Sequence, residues 1–287
     1  MAGVALPSGC TVEAEQVAQV DSKDMGPEVW RALLQAVARH LGRAEVRGIV
    51  VTHGTDTLEE TAFLLQRTLS PAKPVVLVSA MRPATAPQPD GPQNLADGLA
   101  IAARPGASGV VAVCASRLHS AWDVRKVHNH RLDAFDSGEA GALGVLEAGR
   151  CRLWRPWPAA DQAVNSLLLD RLLSDRPWPR VEWITSHAGA SGWMVRALVA
   201  QSARDPEPIQ GLVVAGTGNG TLHASLEAAL AEAQDQGVTV WVTTRCAWGE
   251  VIPVPGSRFP TTHWPPAKAR LELMFQLLER EDATAPS

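Results

Sequence analysis

Residues Gly48 to Glu60, Gly-Ile-Val-Val-Thr-His-Gly-Thr-Asp-Thr-Leu-Glu-Glu, press a strand, a turn and a helix start into one short stretch. Ile49, Val50 and Val51 form an apolar, β-branched run without polar alternation, the pattern of a parallel strand covered on both faces. Gly54 ends it. Thr57 and Glu60 have the Ser/Thr-x-x-Glu spacing of a capping box, which predicts a helix from here with Leu58, Ala62, Phe63 and Leu65 turned inward. The turn then lies at the carboxyl end of a strand, where open α/β sheets bind ligands because loop side chains and helix amino termini converge there. Thr55 and Asp56 place a hydroxyl beside a carboxylate at that point. Spacing alone leaves them open between a helix cap and a reactive pair.

The flanking chain repeats the unit. Val12 to Val20 reads as a strand and Asp21-Ser22-Lys23-Asp24 as its turn, with Asp24 a candidate cap and Pro27 tolerated in the first helical turn. Val29, Trp30, Leu33, Leu34, Val37 and Leu41 share one face of the helix that follows. A helix near 58 to 69, a strand at 74 to 79, a Pro-rich loop from Pro83 to Pro92, a helix near 93 to 103 and a strand at 109 to 115 come next. Such alternation implies a parallel sheet with crossover helices. The Pro-rich loop either borders the site or is a plain surface connection. After Ala115 the alternation stops. Arg117 to Asp136 is rich in charge and His, and Gly144 to Trp154 reads as a hairpin. Trp157-Pro158 and Trp178-Pro179 flank an apolar helix at Ala163 to Leu173, the Pro-marked boundary between domains. From Val181 the pattern resumes, with strands at 181 to 185, 209 to 215 and 238 to 243 and helices near 191 to 203, 222 to 234 and 266 to 281. The last residues read as disordered. The expected fold is α/β with two doubly wound domains, a larger amino-terminal one at 1–160 and a smaller carboxy-terminal one at 181–287, joined by a linker at 161–180.

Composition narrows the functions. Hydrophobic residues make up 46% of the 287 and charged ones 20%, as in a soluble globular chain. A net charge of −4 gives no attraction to phosphate backbones, so nucleic-acid partners are not expected. Cys10, Cys114, Cys151 and Cys246 stand singly, without a Cys-x-x-Cys pair for zinc or redox work, and Cys114 reads as a small core residue. Apolar runs fall short of the ~20 residues of a membrane span, and the first residues lack a basic then apolar leader, so the expectation is a cytoplasmic protein with no membrane partner. His128-Asn129-His130 has no third ligand nearby, and no metal is expected. Gly216-Thr217-Gly218-Asn219-Gly220 follows a strand, but its spacing is Gly-x-Gly-x-Gly and the next strand ends in Thr243-Thr244-Arg245, without the acidic residue that holds a ribose. Lys126 is by default a solvated charge. Near a carboxylate and partly buried, it becomes a proton acceptor for a hydroxyl, and a Thr-Lys-Asp set with Asp56 orienting it suits amide hydrolysis.

His53-Gly54-Thr55-Asp56-Thr57 with Glu59-Glu60-Thr61-Ala62-Phe63, then Pro74-Val75-Val76-Leu77-Val78-Ser79-Ala80-Met81-Arg82-Pro83, together with Asp90-Gly91 and Asn94-Leu95, resemble the bacterial L-asparaginase family. The resemblance covers most of the chain. It implies that Asp21-Ser22-Lys23-Asp24-Met25 is the substrate-binding turn, with Ser22 on the substrate's α-amino and carboxylate ends and Lys23 beside it. It implies that Thr55 and Asp56 are the threonine-aspartate pair and that Ala80 lines the amide pocket. Trp122-Asp123-Val124-Arg125-Lys126 matches the motif of the family's catalytic lysine and gives Lys126 the proton relay. Gly216 to Gly220 with Thr221 and His223 resembles the loop that reaches a neighbouring subunit's site. Pro266 to Leu271 is family-like too. Thr221 stands where many members carry Asn, with Asn219 as the substitute, and the loop from Arg245 to Pro260 is short.

The implied function is hydrolysis of L-asparagine to L-aspartate and ammonia by a threonine nucleophile, with glutamine a weaker substrate, no cofactor, and a homotetramer or homodimer as the working form. The family's opening strand, ending Thr-Gly-Gly-Thr-Ile and bearing the primary nucleophile, and the following loop with its catalytic Tyr have no counterpart in a chain that contains no Tyr. The expectation drawn from this is that Met1 is an internal methionine. The alternative is a homologue that binds amino acids without catalysis. A third reading, the amidase subunit of a tRNA-dependent amidotransferase, calls for a basic surface that the sequence lacks.

Overall fold

A computed structural model describes residues 9–158 and 166–280. They fall into two compact units, Met1–Leu169 and Asp170–Ser287. The first contains α1 (Pro27–Leu41), β1 (Ile49–Thr52), α2 (Leu58–Leu69), β2 (Val75–Val78), α3 (Gly91–Ala102), β3 (Val110–Cys114), β4 (Arg117–Ser120), β5 (Arg125–Lys126), β6 (Phe135–Asp136), β7 (Gly144–Glu147) and β8 (Arg150–Leu153). Six of the strands form one mixed sheet in the order β1-β2-β3-β4-β7-β8, parallel from β1 to β3 and antiparallel beyond. Every residue of β2 and β3 is buried, so both faces of this part of the sheet are covered, as their β-branched composition requires.

On one face α3 lays Leu95, Ala100 and Ile101 against Val50, Val76, Val78, Val111 and Val113. Gly98 makes that approach close: a Cβ there would stand 2.5 Å from Cγ1 of Val78. The buried Gln66 of α2 accepts the amide of Val110 at 2.6 Å and ties that helix to the start of β3. Between β3 and β4 the chain turns on Ala115 and Ser116, both with positive φ. Two α3 side chains hold that uncommon turn, for Asn94 Oδ1 accepts from the Ala115 amide at 3.1 Å and Asp97 Oδ2 accepts from the Ser116 hydroxyl at 3.0 Å.

α4 (Ser166–Leu173) lies within the stretch expected to link the domains, of which 161–165 fall outside the described residues. The second unit has β9 (Arg180–Thr185), α5 (Trp193–Ser202), β10 (Ile209–Gly216), α6 (Ala224–Asp235), β11 (Thr239–Thr244) and α7 (Pro266–Arg280). Its three strands are parallel in the order β11-β10-β9. Val195, Val199, Leu226 and Leu230 of α5 and α6 pack on Leu212, Val214, Val240 and Val242, while α7 lies along β9 and β10. The expected α/β architecture, with a larger amino-terminal and a smaller carboxy-terminal unit, is the one observed.

Four local expectations are corrected. β1, expected to be covered on both faces, is only half-buried and lies at the edge of the described sheet. Val12 to Val20 is not a strand. Its alternate acids turn to the end of α1 instead, Glu15 pairing with Arg39 and His40 and Glu13 with Arg43, and Val12 and Val20 stay exposed. The N-cap of α1 is Gly26 rather than Asp24, which belongs to a 3₁₀ turn at Ser22–Asp24. α2 starts where expected, but without a side-chain cap bond, because the Thr57 hydroxyl donates to the Ser22 carbonyl at 2.6 Å. Residues 281 to 287, expected to be disordered, lie outside the described residues.

Replacing Gly98 by Ala tests the packing of α3. The new methyl must displace a buried valine of β2, so a loss of roughly 1–3 kcal/mol is expected despite the better helix propensity of alanine. The denaturant midpoint measures it, and an unchanged or raised midpoint would show that the contact is slack.

Candidate active site

The carboxyl ends of β1 and β2 lie side by side, with Thr52 opposite Val78 and the His53 amide donating to the Val78 carbonyl at 2.9 Å. Beyond them run the turn His53 to Thr57 and the turn Ser79 to Arg82. The first is fixed by the Ser22 turn. Ser22 is buried, its hydroxyl accepts the Asp56 amide at 3.2 Å and its carbonyl takes the Thr57 hydroxyl. Only a glycine fits at position 54, since a Cβ there would lie 2.4 Å from Ser22 Oγ. The second turn is held by Asp90, whose two carboxylate oxygens accept the amides of Met81 at 2.9 Å and Arg82 at 2.8 Å. Asn94 spans from that turn to β3, donating to the Ser79 carbonyl at 2.8 Å. Ala80 is thereby placed at the exposed end of β2, against Gly91.

Lys126 comes from the far arm of the same unit. Trp122 stacks edge-on against Phe63 of α2 with ring centroids 5.5 Å apart, and Arg155 grips Asp123 at 2.7 Å. The short β5–β6 pair then carries Lys126 toward the turn. Its ammonium reaches Thr55 Oγ1 at 2.8 Å and Asp56 Oδ1 at 2.6 Å, and its backbone amide donates to Glu59 Oε2 at 3.1 Å. The lysine side chain is 17% exposed and that of Asp56 is 53% exposed. The hydrogen bond from Lys126 holds the Asp56 carboxyl below its ordinary range, so the aspartate is an anion at neutral pH. A hydroxyl, an amine and a carboxylate thus meet at one point, open to solvent on the aspartate side. This set can move a proton on and off an oxygen nucleophile.

Ser22, Thr55, Asp56 and Lys126 are brought together as the sequence predicts. Lys23 is adjacent, but its ammonium pairs with Asp24. Asn219 belongs to the second unit, where its carboxamide donates to the Ile252 carbonyl at 2.9 Å and accepts the Ile252 amide at 2.8 Å. The glycines around it form a turn closed by paired bonds between Thr217 and Thr221. His128 Nδ1 accepts the amides of His130 and Arg131 and shapes a turn.

Residues that sequence reasoning passed over also hold the site. Trp30 Nε1 donates to Thr61 Oγ1 at 2.9 Å, Thr61 Oγ1 lies 2.9 Å from His53 Nε2, and His53 Nδ1 lies 2.7 Å from the Gly54 carbonyl. A carbonyl only accepts, so Nδ1 carries the proton and Nε2 receives the Thr61 hydroxyl. One neutral tautomer satisfies the whole chain of bonds. Only the His-Gly-Thr-Asp run itself hinted at His53, since its partners come from two helices.

Known proteins resemble this chain over most of its length. Residues 2–158 match the family model described as "Asparaginase, N-terminal", and residues 180–285 match "Glutaminase/Asparaginase C-terminal domain". The chain belongs to the asparaginase family. Among its relatives, "L-asparaginase 2" of Bacillus subtilis strain 168 is 33% identical over 285 residues, covering 94% of this chain and 71% of the relative. "Probable L-asparaginase periplasmic" of Haemophilus influenzae is 32% identical over 94% of this chain and 77% of the relative. A crystal structure titled as a probable cytoplasmic L-asparaginase from Campylobacter jejuni superimposes with a TM-score of 0.80 at 33% identity, covering 92% of this chain and 83% of that one. The asparaginase amino-terminal match contains every residue of the Ser22, Thr55, Asp56 and Lys126 cluster.

Burial lowers the pKa of His53. A histidine depressed in the folded state leaves the unfolded chain with more bound protons below the ordinary value of ~6.5, so stability is full above that pH and falls as pH drops past it. NMR titration should place the His53 ring below 6.5, and in His53→Gln the loss of stability between about pH 7 and pH 5 should shrink. A ring that titrates at or above ~6.5 would contradict the neutral tautomer.

Proposed function

We propose that this chain is an amidohydrolase that cleaves the side-chain amide of L-asparagine to L-aspartate and ammonia. The observation that carries the reading is the Lys126 amine within hydrogen-bond reach of both Thr55 Oγ1 and Asp56 Oδ1, inside the segment that matches the asparaginase model. Lys126 as the neutral amine accepts the Thr55 hydroxyl proton across that 2.8 Å contact, and Asp56 stabilises the ammonium that results. Attack is assigned to Thr55 Oγ1, the hydroxyl that the described residues place within reach of that amine, and not to the threonine of the family's opening strand. As its bond to the amide carbon forms, the carbonyl becomes an oxyanion. The ammonium returns its proton to the departing nitrogen as the C–N bond breaks, which leaves an ester and ammonia. Water then releases aspartate and restores the hydroxyl.

Ser22, Lys23 and Ala80 are assigned to substrate binding on their placement around the turn, and Asn219 on the family resemblance. The two matched models support domains at 1–160 and 181–287 with the linker at 161–180. Glutamine is proposed as a weaker substrate, since the matched carboxy-terminal domain is shared by glutaminases and asparaginases. The chemistry calls for no cofactor. No helix of the described residues is long and apolar enough to cross a membrane. A cytoplasmic location is proposed by analogy with the Campylobacter protein, and a homotetramer or homodimer on the family resemblance.

Ammonia release from L-asparagine tests the function. Turnover by this chain supports it, whereas binding of asparagine without release would make the protein an amino-acid binder. Lys126→Met and Thr55→Val should each lower kcat by roughly 10²–10⁴-fold with the melting temperature little changed. Near-normal rates in either variant would remove that residue from the chemistry.

A further inference from the structure

Lys126 sits on a strand of two residues, Arg125–Lys126, paired with Phe135–Asp136 and continued by a bond from the Val127 amide to the Ala134 carbonyl at 2.8 Å. So short a pair fixes a lysine poorly by itself, and the relay demands a set distance to Thr55. Glu59 supplies a second hold. It stands in the first turn of α2, three positions after Asp56 and four after Thr55, so the three side chains belong to one helix entrance. Its Oε2 accepts the backbone amide of Lys126 at 3.1 Å, while Thr55 and Asp56 accept the ammonium at the other end of the same residue. We propose that Glu59 is a positioning residue for the relay: it clamps the backbone of Lys126 to the segment that carries Thr55 and Asp56, and so sets the reach of the amine.

The geometry separates this role from plain stabilisation. Glu59 is partly buried, and the acceptor it presents is the oxygen of a side chain, not of the helix backbone. A glutamine keeps a carbonyl oxygen at the same reach while losing the charge and turning the other oxygen into an amide donor. An alanine loses the acceptor. Without it the β5–β6 arm remains anchored by Trp122 on Phe63, by Arg155 on Asp123 and by its own backbone bonds, so the fold persists while the Lys126 backbone shifts relative to the α2 entrance. Misplacement of a catalytic group by ~1 Å is enough to cost about 10²-fold.

This inference rests on the proposed hydrolase reading, and its test is built so that the two fail separately. Glu59→Ala and Glu59→Gln are compared with the unaltered chain by kcat and KM for ammonia release. In parallel, the rate at which Lys126 is acetylated by acetic anhydride is followed by mass spectrometry. The expected result is a kcat lowered about ten- to a hundredfold in Glu59→Ala with KM within about twofold, recovery to within about threefold in Glu59→Gln, and Lys126 acetylation about fivefold faster in Glu59→Ala only. Equal losses in both variants, or an unchanged acetylation rate in Glu59→Ala, would overturn the clamp. A chain that releases no ammonia refutes the hydrolase reading, and the acetylation rates still decide the clamp.

Discussion

The ammonium of Lys126, held between a hydroxyl and a carboxylate 71 and 70 residues away in sequence, is the interaction on which the rest of the first unit depends. A lysine brought largely out of water needs its charge answered close by, or it will give up the charge. Asp56 answers it at 2.6 Å, and keeps half of its own side chain in solvent, so the pair avoids the full desolvation cost of a buried bridge. The compromise suits proton transfer. A lysine free in water would have no fixed distance to Thr55.

That fixed distance is assembled from layers that share no local sequence. α3 closes on the sheet because Gly98 lets it, and from that position its Asn94 and Asp97 hold the Ala115–Ser116 turn that starts β4. β4 leads into the arm that Trp122 and Arg155 anchor, and the arm ends at Lys126. On the opposite side Ser22 and Gly54 interlock, and Trp30, Thr61 and His53 lock the same turn from beneath with one continuous chain of hydrogen bonds. Buried polar networks of this kind specify a single arrangement because any member left unpaired is costly.

Much of this architecture was legible because burial on both faces leaves a plain mark on sequence. Val75 to Val78 and Val110 to Val113 are apolar throughout and proved to be buried parallel strands, while Ile49 to Val51, apolar in the same way, proved to be a parallel strand only half-buried at the edge of the described sheet. What sequence concealed was polar and tertiary. Val12 to Val20 has the residues of a strand, but Glu13 and Glu15 found cations at the end of α1, and an ion pair between residues 24 apart leaves no periodicity to read. Thr57 and Glu60 have capping-box spacing, but the Thr57 hydroxyl had a nearer acceptor in Ser22. The site divides the same way. Thr55 and Asp56 were visible as a strand-end pair, whereas Lys126 was distinguished from a surface lysine only by the motif around it. Asp90, Asn94 and Glu59 act through backbone amides, and a residue that recognises backbone has no sequence partner to reveal it.

The backbone amides are also where the economy of the site lies. Asp90 fixes Met81 and Arg82, Asn94 fixes Ala115, Ser22 fixes Asp56, and Glu59 fixes Lys126, in each case a side chain accepting or bridging main-chain groups at the end of a strand or arm. Loops at the carboxyl edge of a parallel sheet have amides that no strand partner can satisfy, so some side chain must do so. The parallel sheet therefore creates both the crevice and the demand for acidic and amide side chains around it. Once those side chains are in place, an amine can be held within 2.8 Å of both a hydroxyl and a carboxylate carried by one turn, where the close contact at position 54 is given to glycine.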